Sequence, residues 1–275
     1  MSNTKILITV KTYPTLSEKY DELVCTAGFK EDGSWVRIYP VPYRKLDYIN
    51  QYHKWQWIEM DIVKNTSDFR LESYRPADIE KDFIIGEKIE NWEIRKNIVL
   101  RNVYVNMEDL IAKTKDTSIG ISLATLKPSQ VIDFVWKECE REWDNKKLNA
   151  VHVNQAQGNL FQEKTKKLFQ IAKKVPYEFS YIFKTEDGKE RKLMIEDWEL
   201  GQLYWNCLKK AKGDEINACQ KVKQKYFDWM LKQRELYFFL GTTKRFHNIA
   251  PNPFIIIGTF YPPKQPPKQL MIKWD

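Results

Sequence analysis

Residues 177–195 read YEFSYIFKTEDGKERKLMI, and this stretch carries the clearest structural signal in the chain. Aromatic and β-branched residues on both sides are typical of strands, and the pair Asp187-Gly188 between them is a strong signal for a tight hairpin turn. We therefore predict a hairpin of strands 177–184 and 191–195. The aromatic residues of its first strand alternate, so they share one face, which is either a stacking platform for nucleobases or part of the core. These residues are Tyr177, Phe179, Tyr181 and Phe183.

Outward from the hairpin, the C-terminal half is predicted to have the order β-β-β-α-β-β. The first strand is expected at 131–136, although so short an apolar run also fits the start of a helix. Two helices follow the hairpin, at 198–210 and 214–232, because apolar residues recur there three and four positions apart. Strands at 235–240 and 254–261 complete the order.

The N-terminal half is predicted to have the same order. Glu31-Asp32-Gly33 suits the turn between its second and third strands. Five strands with a helical element between the third and fourth are typical of the OB-fold, a small Greek-key barrel. The predicted elements are strands 5–11, 22–29 and 34–39, a short helix 43–52, and strands 55–63 and 69–74.

We therefore expect an α+β protein, mainly β, built from two OB-like five-stranded barrels. The predicted domains are 1–118 and 119–275, with the helical insertion of the second at about 198–233. Between the two sets of strands the pattern is weaker. It predicts one or two strands in 92–105, a helix at 106–115, a loop at 119–127, and a helix followed by a loop in 141–170.

Composition limits the class of protein. The chain has 275 residues and 32.9 kDa, and its 43% hydrophobic and 14% aromatic residues exclude a disordered chain. Its 10 Gly and 12 Pro are too few for a collagen-like chain. The longest apolar runs are strand-sized, and the N-terminus has no cleavage site of the signal-peptide type, so we expect no membrane partner. Four widely spaced cysteines indicate reduced thiols and a cytoplasmic protein.

Charge is distributed unevenly along the chain. Residues 1–150 hold 23 Lys+Arg and 24 Asp+Glu, a net charge of −1, whereas residues 151–275 hold 22 and 13, a net charge of +9. A basic field of this kind favours polyanionic partners. The alternative is an ordinary solvated basic surface.

Several sequence blocks resemble a known family. They are KTYPTLSEKY at 11–20, ELVCTAG at 22–28, WVRIYP at 35–40, IEDWELGQLYWNC at 195–207 and FLGTTKRFHNIAPNPFIIIGTFYPP at 239–263. Together they resemble the bacterial dual OB-containing domain family, and they span nearly the whole chain. The resemblance implies nucleic-acid binding and an association with prokaryotic conflict, or anti-phage, systems. It implies no catalytic residues.

The loop between the last two predicted strands is the first candidate binding site. In an OB-fold this loop is one of two that grip oligonucleotides. Lys244 and Arg245 would contact phosphates, with Phe246 and His247 beside them. The alternative is an ordinary polar loop.

Further candidate residues combine cations with aromatic rings or with a shared face. Lys221, Lys225 and Lys232 would form a basic line along the second C-terminal helix, although a solvated face also explains them. The other candidates are Tyr181 and Lys184 on the hairpin, and Arg37, Tyr39 and Arg44, with Lys11, Tyr13, Lys19 and Tyr20, in the N-terminal half.

Signals for catalysis are weak. The three histidines are isolated, and no glycine-rich phosphate loop or zinc motif occurs, so we predict no catalytic residue, metal or cofactor. Glu178, Asp187 and the segment 190–192 loosely suggest a Mg²⁺-dependent nuclease. The leading hypothesis is a non-catalytic protein that binds DNA or RNA, single-stranded or through the backbone, in a defence system. The alternatives are an adaptor for a co-encoded effector protein and the nuclease.

Overall fold

The computed structural model describes residues 3–17, 21–46, 51–79, 81, 83–161 and 170–264. It confirms a mixed α+β fold that consists mostly of strands. In the N-terminal part the strands are β1 Thr4–Lys11, β2 Thr15–Ser17, β3 Asp21–Lys30, β4 Trp35–Val41, β5 Gln56–Met60, β6 Ile62–Lys64, β7 Ser73–Pro76 and β8 Ile84–Lys88.

The remaining elements follow in the second part of the chain. Its strands are β9 Val103–Tyr104, β10 Leu123–Leu126, β11 Gln130–Glu138, β12 Tyr177–Lys184, β13 Glu190–Met194, β14 Tyr237–Thr242 and β15 Phe254–Phe260. The helices are α1 Trp92–Val99, α2 Met107–Lys115, α3 Asn145–Phe161, α4 Trp198–Lys210, α5 Glu215–Lys223 and α6 Met230–Gln233. None of the helices in the described ranges is long and apolar enough to cross a membrane.

The first barrel has the predicted OB-like strand order. β3 pairs antiparallel with β1 and β4, and β4 pairs in parallel with β7. β5 and β6 are two halves of one segment interrupted at Asp61, and they pair with β1 and β7 respectively. This segment therefore connects the first strand to the last and closes the sheet. A 3₁₀ turn, Tyr43–Lys45, occupies part of the predicted helical slot, and residues 47–50 lie outside the described residues.

The second barrel repeats this arrangement. β10 and β11 are halves of one strand that is interrupted around Pro128; β11 pairs with β12, and β10 pairs with β14. β13 meets β15 in parallel through the bridge between Ile195 and Ile256, which connects the two sheets. The helices α4, α5 and α6 lie between β13 and β14, as the sequence predicted.

Some local predictions were wrong. Of the one or two strands predicted in 92–105, β9 is present at Val103–Tyr104, but residues 92–99 form helix α1, because the Asn91 side chain accepts hydrogen bonds from the backbone N–H groups of Glu93 and Ile94 and so caps a helix. The predicted loop 119–127 contains β10. The strand predicted at 69–74 begins only at Ser73.

Three apolar cores hold the molecule together, one inside each barrel and one between them. Alternation along β1 directs Ile6 and Ile8 into the first barrel and Leu7 outward. On β14, Phe238 likewise faces the interior of the second barrel, while Phe239 packs between the barrels. The core between the barrels also includes Val10, Ala27, Phe29, Trp55, Val99, Leu123, Tyr237, Ile257 and Phe260.

A buried polar cluster also joins the barrels, and we call it the arginine clamp: Arg37, Asp68, Arg70, Ser122 and Thr242. The guanidinium of Arg37 donates to the hydroxyl of Ser122 at 2.8 Å and to its carbonyl at 3.1 Å. Arg70 donates to the carboxylate of Asp68 at 2.6 Å and also to the carbonyl oxygen of Thr242. All five residues are buried. The clamp therefore ties β4 and the segment before β7 to β10 and β14.

Candidate nucleic-acid interface

The aromatic face of the β12–β13 hairpin belongs to the core of the second barrel. Tyr181 is fully buried, its ring stacks on Phe238 at 5.0 Å, and its hydroxyl donates to the backbone carbonyl of Tyr226. The prediction that Tyr181 contacts a base is therefore wrong, because no face of its ring is open. Lys184, at the end of the same strand, is partly exposed.

The N-terminal candidates are also largely engaged in structure. Arg37 is 3% exposed and lies in the arginine clamp, so its predicted role in phosphate contact is wrong. Arg44 forms an ion pair with Glu22 at 2.6 Å and donates to the carbonyl of Gln170 at 3.0 Å. Tyr39 is exposed, beside a cavity of about 440 Å³ between the barrels. Lys19 and Tyr20 lie outside the described residues.

The predicted basic line on the second C-terminal helix does not form as expected. Residues Gln224–Trp229 adopt a π-helical turn, which rotates the residues that follow away from the regular 3.6-residue period. Lys225 instead lies over the ring of Trp229, at 3.2 Å from its centroid, while Lys232 is exposed and Lys221 is half-buried. The three lysines therefore have different environments.

The loop between β14 and β15 contacts the first barrel. The ammonium of Lys244 donates to the backbone carbonyl of Ser67, and His247 is buried with its Nδ1 2.8 Å from the hydroxyl of Thr242. Arg245 and Phe246 are exposed. Burial lowers the pKa of His247, and the nearby charge of Arg70 adds to this effect. His247 is therefore a neutral packing residue at neutral pH, and Arg245 is the more accessible cation of the loop.

The carboxylates of the suggested nuclease pattern do not converge. Glu178 pairs with Lys137 near the start of β12, and Asp187 pairs with Arg191 at the hairpin turn. Glu190 lies opposite Lys184, six residues along β12 from Glu178. Within the described residues, no group of three or more acidic, His or Cys side chains could hold a metal ion.

A cleft of about 600 Å³ lies between the barrels, with cations and aromatic rings on its walls. The first barrel and α1 contribute one wall, and α4 and the end of β15 contribute the other. Its cations are Lys11, Lys54, Lys88 and Arg95; its aromatic residues are Trp55, Trp92, Trp198, Phe260 and Tyr261; the other residues on its walls include Glu199, Gln202, Asn206 and Thr259.

Two lysines line the cleft but are themselves buried. Lys54 is 3.4 Å from Asp197 and 3.1 Å from Glu199. Although burial acts to lower the pKa of Lys54, these carboxylates raise it above its ordinary value, so its ammonium remains charged. Lys11 donates to the hydroxyl of Tyr43 at 3.0 Å and forms no ion pair in the described part of the chain. Burial lowers the pKa of Lys11 to about 8.

An aromatic ridge, made of Trp92, Tyr261 and Trp229, continues from the mouth of the cleft. The ring of Tyr261 lies 6.1 Å from both tryptophan rings, centroid to centroid. Arg234 lies 4.9 Å from the ring of Trp229 and 5.9 Å from that of Trp92, and Lys225 covers Trp229. Among the described residues, no carboxylate is within ion-pair distance of Lys225 or Arg234. Cations therefore alternate with rings along this surface.

Of the cations of this site, sequence reasoning found Lys225 and Lys11. Arg234 is far along the chain from Lys88 and Arg95, and no sequence pattern links these three cations to one another. The N-cap signal at Asn91 could have located α1 and thereby placed Trp92 and Arg95 on one helix, three positions apart. Nothing local in the sequence brings them to residues 225–234.

The cleft and the predicted loop lie at opposite ends of one strand. β15 runs from Phe254, beside the loop that holds Arg245, to Phe260, which lines the cleft. Seven residues of strand separate the two sites by roughly 20 Å. They are therefore two separate candidate surfaces.

Comparison with known proteins gives a family but no function. Residues 2–101 match the family described as domain of unknown function DUF8758. Among solved structures, a murine DNA-binding protein bound to double-stranded DNA is similar to this chain, with a TM-score of 0.32 and 8% identity over 98% of this chain and 99% of that chain, and a similarity this low supports no inference. No curated protein matches the sequence. Residues 103–273, more than half of the chain, match a second family, and the protein therefore belongs to the family described as domain of unknown function DUF8757.

Proposed function

We propose that the protein binds single-stranded nucleic acid along the aromatic ridge and into the adjoining cleft, without catalysis. The observation that carries this proposal is the alternation of rings and cations from Trp92 to Trp229. Proteins that bind single strands combine aromatic side chains, on which bases stack, with cations that follow the phosphates. Lys225 and Arg234 supply charges that no protein carboxylate neutralises within the described residues.

Two cations at the ridge, Lys225 and Arg234, also repel each other, which supports an anionic ligand. Burial lowers the pKa of Lys225, and the neighbouring charge of Arg234 lowers it further. Burial likewise lowers the pKa of Arg95, whose guanidinium lies 4.8 Å from the ring of Trp55 and 4.7 Å from that of Trp92. A phosphate backbone would relieve this repulsion, and the release of its counterions would add to affinity.

The first experiment measures how binding to a fluorescent single-stranded oligonucleotide depends on salt. In the double variant Lys225→Gln/Arg234→Gln, affinity should fall for all sequences, and the slope of log K against log salt should decrease by about one to two units, since each phosphate contact on a single strand contributes about 0.7. Unchanged affinity in a folded variant would exclude the ridge as the binding surface.

Lys244→Gln/Arg245→Gln is the matched control, because it also removes one lysine and one arginine. If the ridge is the site, this pair should change affinity by less than about twofold, as expected for cations roughly 20 Å from the ligand. If the loop between β14 and β15 is the site, as the sequence predicts, this pair should show the larger loss. Comparing the two double variants therefore shows whether the oligonucleotide binds at the aromatic ridge or at the loop between β14 and β15.

We also propose that this binding is the recognition step of a prokaryotic defence system. The support is the family resemblance, together with the position of its sequence blocks: the blocks at 11–20, 195–207 and 239–263 all contribute residues to the cleft. A phage challenge of cells that carry the intact protein or Lys225→Gln/Arg234→Gln tests this role. Equal protection by both would contradict it.

A further inference from the structure

The wall of the cleft formed by α4 presents hydrogen-bonding groups instead of a smooth apolar surface. Glu199, Gln202 and Asn206 are three and four positions apart, so they lie on one face of the helix, and all three line the cleft. Carboxylates, which accept, and amides, which both donate and accept, are groups that distinguish the edges of nucleobases. The opposite wall holds Trp92, whose ring offers a flat surface for stacking.

At the inner end of this row, a carboxylate and an ammonium are held side by side. Oε2 of Glu199 is 3.1 Å from Nζ of Lys54, and in the described part of the chain its Oε1 has no hydrogen-bond partner. Lys54 is also bound by Asp197 at 3.4 Å, so two of its three N–H donors are used and one is left. Because Lys54 is buried, its position is fixed before any ligand binds.

A third polar group at this end lacks a partner. Thr259 lines the cleft and is 1% exposed, and its hydroxyl has no hydrogen-bond partner among the described residues. A buried hydroxyl without a partner carries a cost in free energy, which a ligand or an ordered water would remove. The inner end of the cleft therefore offers a ligand both an acceptor, Oε1 of Glu199, and donors, on Lys54 and Thr259.

The geometry points to a binding site for one unpaired guanine base, with Glu199 accepting from the N1–H and N2–H groups and Lys54 donating to O6. Guanine is the base whose pairing edge presents two adjacent donors beside a carbonyl oxygen, and that edge complements a carboxylate next to an ammonium. Adenine, cytosine and thymine each present an acceptor where guanine has its N1–H or N2–H groups, and that acceptor would face the carboxylate. This inference rests on the proposed function and gives it a base preference.

The test compares single-stranded oligonucleotides of about 12 nucleotides, within the usual size of such sites. Each is oligo-dT with one central dG, dA or dC. We expect the oligonucleotide with dG to bind about tenfold more tightly than the others, the discrimination that a good bidentate contact provides. In Glu199→Gln the ratio of the affinity for the oligonucleotide with dG to the affinity for the one with dA should fall from about ten to about one. Glu93→Gln, an exposed carboxylate on α1 outside the cleft, is the matched control and should keep the preference.

The possible outcomes separate this inference from the proposed function. Equal affinity for all three oligonucleotides, or a preference that survives in Glu199→Gln, would overturn the guanine site and leave nucleic-acid binding intact. Binding of none of them would overturn both proposals. Guanosine monophosphate is added as a competitor: if it displaces the oligonucleotide with dG at comparable concentration, the guanine site is supported and its ligand is a free nucleotide rather than a strand.

Discussion

Arg70→Met is expected to lower the free energy of unfolding by about 3–5 kcal/mol, because it leaves a buried carboxylate without its cation. The guanidinium of Arg70 binds Asp68 through two nitrogens, at 2.9 and 2.6 Å, and both residues are less than a tenth exposed. The substitution also deprives the carbonyl of Thr242 of a donor. Chemical denaturation at neutral pH measures the loss.

The pH dependence of this loss identifies its cause. Burial alone would raise the pKa of Asp68, but hydrogen bonds from Arg70 and Ser73 hold it well below its usual range. A carboxyl with a lowered pKa in the folded state stabilises the protein above its unfolded value of about 4, and that contribution disappears as pH falls further. In Arg70→Met this lowering of the pKa of Asp68 should be lost, so the difference in stability between variant and wild type should shrink as pH falls below about 4.

Two comparisons control this experiment. Arg101→Met removes an exposed arginine and should cost less than about 1 kcal/mol. The double variant Arg70→Met/Asp68→Asn should be more stable than Arg70→Met alone, since the carboxylate that loses its Arg70 partner is no longer present. A loss that is independent of pH, and unchanged in the double variant, would show that the ion pair contributes little.

The strand order could be predicted because it depends on local signals. Alternation of apolar residues and the glycines at the turns belong to short segments; Gly33 and Gly188, for example, have φ angles of +84° and +73°, which favour glycine. The packing of the two barrels depends instead on residues distant in sequence. Arg37 meets Ser122, 85 positions away, and no local pattern links them. For this reason Arg37 was predicted to contact phosphate when it in fact joins the barrels.

The candidate site could be predicted less well than the fold, for a related reason. A lysine or tryptophan in a strand or helix pattern has the same appearance whether its neighbours are core, solvent or a second barrel. The π-helical turn adds to the difficulty, because it breaks the regular helical period from which the line of Lys221, Lys225 and Lys232 was predicted. The site is assembled by tertiary structure from residues that carry no shared motif.

Lys11→Met is expected to raise the free energy of unfolding at pH 7 by about 2 kcal/mol while weakening binding to oligonucleotides several-fold. A pKa near 8 in the folded protein, compared with 10.5 for a free lysine, means that the charged form is disfavoured by roughly 3 kcal/mol. The hydrogen bonds of Lys11 to the hydroxyl of Tyr43 and to the carbonyl of Tyr52 offset about 1 kcal/mol of this unfavourable free energy. About 2 kcal/mol of unfavourable free energy therefore remains in the folded wild type. We interpret this as the energetic cost of holding a cation in the cleft for an anionic ligand.

The sign of the pH dependence distinguishes this explanation from simple repacking. Below pH 8 both the folded and the unfolded protein carry the proton on Lys11, so the gain in Lys11→Met is complete. Between pH 8 and 10.5 the folded protein has lost this proton while the unfolded chain still holds it, so the stability of the wild type rises with pH and the gain fades. The charge of Glu199 raises the pKa of Lys11 and the charge of Lys54 lowers it, so burial is the main cause of the lowered pKa. Thermal unfolding of both proteins from pH 6 to 10 measures the difference in stability between Lys11→Met and the wild type. If the variant is still more stable by the same amount at pH 10, improved apolar packing accounts for the gain and the buried charge does not.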